Sequence, residues 1–237
     1  MTGCCCQGVD EIFGERTARH DLRRYRKRGP SKPTRILLEA LRRDGIEHAT
    51  VLDVGGGIGA IQQELLDAGA ERATSVEVSE AYLRAAREEA ERRGHADRIN
   101  YQAGDFVALA DRIEPADVVT LDRVICCYPD MESLVGRSAE RAQRLYGLVY
   151  PQDRWWVALG IRVTNLIMRV SRRAFRAHLH RTSAVDAVVR QHGLAPKLAR
   201  PVGPVWQVAV YVRSSHEPSD SRRRSSPISR PRSSPAS

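Results

Sequence analysis

Lysine is nearly missing from this 237-residue chain: Lys27, Lys32 and Lys197 are the only three among 38 basic residues. A biased base composition in the encoding gene produces such one-sided use of arginine. The net charge of +9 is therefore discounted as a sign of nucleic-acid binding. The charge is also uneven. Six Arg from Arg213 onward face only Glu217 and Asp220, and a second dense group runs from Arg16 to Arg43. Aromatic residues make up 5%, which leaves few platforms for stacking single-stranded bases and argues against an RNA or DNA substrate. No run of 18 apolar residues exists, so nothing reads as a transmembrane helix. The first residues, Met-Thr-Gly-Cys-Cys-Cys, lack the basic start and apolar stretch of a signal peptide, so the cytoplasm is the expected location. The five cysteines are odd in number and never spaced C-x-x-C, which argues against a disulfide framework. Cys4-Cys5-Cys6 reads as part of a reduced, loosely ordered tail, with metal ligation or redox sensing as the alternative.

What the chain does contain is concentrated in Val51-Leu52-Asp53-Val54-Gly55-Gly56-Gly57-Ile58-Gly59. An apolar run carrying an acid leads into alternating glycines, and an amphipathic run from Ala60 to Ala68 follows. The pattern predicts strand, tight turn and helix, with backbone free to approach a ligand. Gly55, Gly57 and Ala60 satisfy a dinucleotide fingerprint. Asp53 favours a different ligand, because an acid at the turn attracts an ammonium and repels a pyrophosphate. About 20 residues past the glycines, a β-prone run from Ala73 to Val78 carries Glu77 at its end, placed to take two ribose hydroxyls. Asp53, Gly55, Gly57, Gly59 and Glu77 together resemble the donor motifs of class I S-adenosylmethionine-dependent methyltransferases. That resemblance implies contacts from Asp53 and the glycines to the methionyl part. It gives Asp105 and Phe106, after the third strand, to the adenine. It also puts Asp122 at the edge of the cofactor site and requires no metal.

Ser79 predicts the N-cap of a helix that Gly94 ends, with Arg84–Glu88 and Arg87–Glu91 as pairs along it. Strands are expected at Ile99–Gln102, Asp117–Leu121 and Leu145–Tyr150, with a helix from Met131 to Gln143 capped by Asp130. A closing hairpin, Leu194–Ala199 and Trp206–Val212, turns at Pro201–Pro204. The expected fold is α/β: a Rossmann-like, doubly wound, seven-stranded sheet, mostly parallel and ending in an antiparallel hairpin. Residues 1–45 read as a Cys-containing basic helical arm, 46–213 as the donor-binding domain and 214–237 as a disordered Ser/Arg/Pro tail. Within the domain, 151–178 reads as an inserted amphipathic lid helix. Its apolar stripe, Trp155/Trp156 to Val170, is expected to pack on the sheet with the arginines solvated. A lid over a flat acceptor, or a helix lying on a membrane surface, is the other reading.

Leu121 to Met131, with Arg144-Leu-Tyr-Gly-Leu-Val-Tyr-Pro151, is similar to the magnesium protoporphyrin O-methyltransferases. That family esterifies a propionate of a tetrapyrrole, which implies a small-molecule acceptor carrying a carboxylate. It has His before the Tyr-Pro pair, where this chain has Cys127, and Tyr25 aligns with a tyrosine of its N-terminal arm. With that histidine replaced, Tyr128 and His180 are the expected catalytic candidates, and Thr182 the expected N-cap of a following helix to His192. No Asn/Asp-Pro-Pro-Tyr/Phe follows strand four, against methylation of base amino groups. The alternatives are a nicotinamide-dependent oxidoreductase, an RNA methyltransferase and a donor-binding protein without catalysis.

Overall fold

The computed structural model describes Gly8 and residues 12–214. Cys4, Cys5, Cys6 and nearly all of the Ser/Arg/Pro tail lie outside the described residues. Two helices, α1 (Glu15–Arg28) and α2 (Lys32–Arg43), precede the alternating unit β1 (Thr50–Val54), α3 (Ala60–Asp67), β2 (Arg72–Glu77), α4 (Glu80–Arg93) and β3 (Ile99–Ala103). A one-turn helix α5 (Phe106–Leu109), β4 (Ala116–Asp122), α6 (Met131–Arg141) and β5 (Ala142–Pro151) follow. The chain closes with α7 (Trp155–Val170), α8 (Thr182–Gln191), β6 (Leu194–Val202) and β7 (Trp206–Arg213). The sheet order is β3-β2-β1-β4-β5-β7-β6. Its first five strands pair in parallel and β7 pairs antiparallel with both β5 and β6. The seven-stranded, mostly parallel sheet with its terminal hairpin is the expected fold.

Local chemistry accounts for the element ends. Ser79 accepts from the Tyr82 amide at the start of α4, Gly94 ends it in the left-handed region, and Asp130 accepts from the Ser133 amide at the start of α6. Strands β1 and β4 are almost wholly buried, as central parallel strands must be. The order reverses between β1 and β4, and there the carboxyl ends of the strands open onto a crevice.

Five expectations need correction. α6 stops at Arg141 and β5 starts at once, two to three residues earlier than expected. Arg213 from β7 donates to the carbonyls of Ala139 and Ala142, capping the helix end, while Ala142 enters the ladder opposite Ala116. The hairpin also runs on through Pro201 to Val202, because β6 is an edge strand that tolerates proline, so the turn falls at residues 203–205. Arg84 pairs with Glu15 of α1 and Glu88 with Arg26, not with one another, because α1 lies along α4. Thr182 is the first helical residue of α8, after Arg181.

The fifth correction is the largest. The apolar stripe of α7 does not pack on the sheet. Leu159 is 52% exposed and Leu166 60%, and only Val157 of the helix is buried. The inward face, Val157, Ile161, Asn165 and Met168, is a narrow strip. Among the described residues no helix is long and apolar enough to cross a membrane.

Candidate functional site

At the reversal point lies a cavity of about 390 Å³ bordered by the glycine turn and by the ends of β2 and β4. Gly55 holds φ +65° and Gly57 φ +56°. A Cβ on Gly55 would stand 2.5 Å from a Val124 methyl, so the turn leaves no room for a side chain. Glu77 faces it from β2. Its two carboxylate oxygens accept from the amides of Gly57 and Ser79, each at 2.9 Å, which fixes the carboxylate at the cavity wall. Phe106 begins α5, and Asp105 caps that helix through the Val107 amide.

Asp53 is 2% exposed. Burial pushes its carboxyl up to about 7, against the bonds it accepts from Thr120 and Gln62; the charges of Asp122 and Glu77 add to the rise. A carboxyl so poised ionises when a cation arrives beside it. Asp122 is held on two sides. Thr34 of α2 donates to it at 2.6 Å, and Arg123 makes a bidentate pair with it at 2.9 and 3.2 Å. Arg123 has φ +63°, a strained setting for a non-glycine residue that turns its guanidinium back onto the strand end.

Tyr128 and His180 do not meet over an acceptor space. The Tyr128 hydroxyl donates to Asp105 at 3.1–3.2 Å, which ties it to the expected adenine acid. His180 bonds through Nε2 to the Tyr128 carbonyl at 3.0 Å and stacks on His178 at 6.1 Å. It lies outside the cavity lining and pins the Cys126–Tyr128 turn from behind. Cys126 and Cys127 both border the cavity, their sulfurs 3.9 Å apart. The neighbouring Cys126 sulfur and then burial raise the Cys127 thiol well above its ordinary value, so it stays protonated at neutral pH. The Tyr25 ring borders the cavity too, with its hydroxyl turned away to Glu64 at 3.0 Å.

Sequence reasoning missed the roof. Phe13, Asp21 and Arg24 from the N-terminal segment, Thr34 from α2 and Trp206 from the hairpin all border the cavity. The stripe Ala18, Leu22, Tyr25 on α1 was a signal that this helix packs on something. Its partner, α4, lies far away in sequence. Glu89 of α4 completes the clasp: its buried carboxylate takes Arg26, Arg92 and Arg93.

Residues 51–143 match a protein family described as a methyltransferase domain. The seven-stranded sheet of the chain has the class I methyltransferase fold. No curated protein sequence matches it. The chain shares its fold with the magnesium protoporphyrin IX methyltransferase of Synechocystis PCC 6803, crystallised with bound SAH. The TM-score is 0.68 at 16% identity, over 87% of this chain and 98% of that one. It shares the fold also with an O-methyltransferase family protein of Burkholderia thailandensis, at TM-score 0.68 and 20% identity, over 90% and 64% of the two chains. The mitomycin 7-O-methyltransferase MmcR gives 0.61 and 22%, over 88% and 61%.

Proposed function

We propose that this methyltransferase transfers a methyl group to a carboxylate oxygen of a small, flat acceptor. The methionyl part of the donor lies against Asp53, Gly55, Gly57 and Gly59, its ribose on Glu77 and its adenine between Asp105 and Phe106. One observation supports the acceptor class: three groups at the end of β4 that could serve as a base are already committed. Asp122 is paired to Arg123, Cys127 is held as a thiol, and Tyr128 donates to Asp105. An acceptor that is ionised at neutral pH needs none of them, and transfer from a sulfonium to a carboxylate runs on positioning. Arg24 and Arg123 border the same cavity, paired there with Asp21 and Asp122. Tyr128 orients the donor site through Asp105, and reaches the acceptor only by giving up that bond. His180 supports it from behind.

A tetrapyrrole propionate is the first compound to test, in keeping with the magnesium protoporphyrin IX methyltransferase among the structural relatives. The test is a panel of porphyrin propionates, other planar acids, phenols and RNA, incubated with methyl-labelled donor. Base-labile label on carboxylic acids is expected. Label on RNA or phenols alone would overturn the acceptor class. Donor binding with no transfer to any compound would favour a non-catalytic donor-binding role. NADH binding without adenosylmethionine binding would restore the oxidoreductase reading.

A further inference from the structure

Among the described residues the outward face of α7 has no partner. Trp155, Leu159, Val163, Leu166 and Val170, with Trp156 and Ile167 at the edge, are 43–76% exposed. At 3.6 residues per turn they share an arc of roughly 120°, opposite the strip that touches the protein. Seven such side chains on one surface helix exceed the scatter of single exposed apolar residues. The helix is nevertheless well anchored. Trp156 Nε1 donates to the Pro204 carbonyl at 2.8 Å, and Asn165 clamps Ala177 through both its amide atoms at 2.8 Å. Val205 at the hairpin tip is itself 37% exposed.

Charge selects the occupant. Between Asp153 and Asp186 stand seven arginines (154, 162, 169, 172, 173, 176 and 181) and no acidic residue. Arg162 and Arg169 flank one side of the apolar arc, Arg154 precedes the helix, and Arg172 and Arg173 follow it. A second copy docked face to face would set these arginines against their own kind. A bilayer interface with anionic headgroups accepts both halves of the pattern, apolar side chains at the acyl boundary and guanidinium groups among phosphates.

We propose that α7 docks this protein flat onto anionic lipid surfaces. The inference rests on the exposed helix alone and stands whatever the methyl acceptor proves to be. The test uses the full chain and two kinds of vesicle, phosphatidylcholine alone and phosphatidylcholine mixed with phosphatidylglycerol. Sedimentation with the anionic vesicles should exceed that with the neutral ones by about tenfold or more, with a blue shift of tryptophan emission and loss of binding at high salt. Val163→Glu with Leu166→Glu should cut vesicle affinity by about tenfold or more while leaving the melting temperature and adenosylmethionine binding unchanged, since both side chains already face water. Arg172→Gln with Arg173→Gln should weaken binding several-fold and flatten its salt dependence. Failure to sediment, equal binding by wild type and the double glutamate variant, or a lipid-free dimer that this variant dissolves would each overturn the proposal.

Discussion

Helices α2 and α7 carry the same kind of apolar stripe and meet opposite fates. In α2, Leu37, Leu38 and Leu41 are at most 2% exposed beneath the sheet, and a Cβ on Gly147 of β5 would stand 2.7 Å from Leu37 Cδ1. In α7, Leu159 and Leu166 are more than half exposed. Amphipathic periodicity establishes that a helix has an apolar face; only topology establishes whether anything covers it. α2 precedes β1 and lies against β5 and β7, where the sheet still needs a cover. α7 leaves the sheet after β5 and reaches out past the hairpin turn.

The sharpest way to break this comparison is to truncate one leucine in each helix. Leu37→Ala should destabilise by about 3 kcal/mol, a cavity in a packed core, whereas Leu166→Ala should stay within about 0.5 kcal/mol. Equal shifts in melting temperature would mean that α7 is covered in solution. Next in size is the donor side, where the chain is buried and paired. Glu77→Ala should cost about 1.5–3 kcal/mol of donor binding, roughly ten- to a hundredfold by calorimetry. Unchanged affinity would remove Glu77 from the site.

The pH dependence of donor affinity should be smaller. Asp53 titrates near 7 in the free protein because burial disfavours its charge. A bound ammonium favours the carboxylate, so binding releases a proton. Affinity should then be full above about pH 7 and fall by up to about tenfold per unit below it. Asp53→Asn should abolish that slope, and a slope surviving in the variant would assign it to another group. Tyr128→Phe should have the smallest effect, raising the donor KM roughly fivefold, about 1 kcal/mol, with kcat unchanged. A fall in kcat at constant donor KM would instead move the hydroxyl to the acceptor.

What could be read from residue order divides along the same line as the two helices. The strands, the Ser79 and Asp130 caps, and the Gly55 turn with Glu77 on the next strand all depend on neighbours within about 30 residues. They were legible because short-range geometry determines them. The corrections concern pairings across the sheet or between distant helices. Arg213 ended α6 early, Glu15 took Arg84, and Asp105 took the Tyr128 hydroxyl. Cys127 in place of histidine was visible at once, but the environment that keeps its thiol protonated was not. The arm residues Phe13 and Thr34 join the cavity only because α1 and α2 wrap back over it.

Phe13 meets Phe175 edge to face with ring centroids 5.9 Å apart, and its carbonyl accepts from Ser79 Oγ at 2.7 Å. Phe13 borders the cavity at the reversal point, while Phe175 belongs to the segment that returns from α7. For ligand traffic this contact is a latch joining the N-terminal segment to the segment after α7. An exit route past Phe13 would require the rings to part, and along that route the latch would set a floor under residence time. With a fast acceptor, turnover would follow the viscosity of the medium more closely than the height of the methyl-transfer barrier.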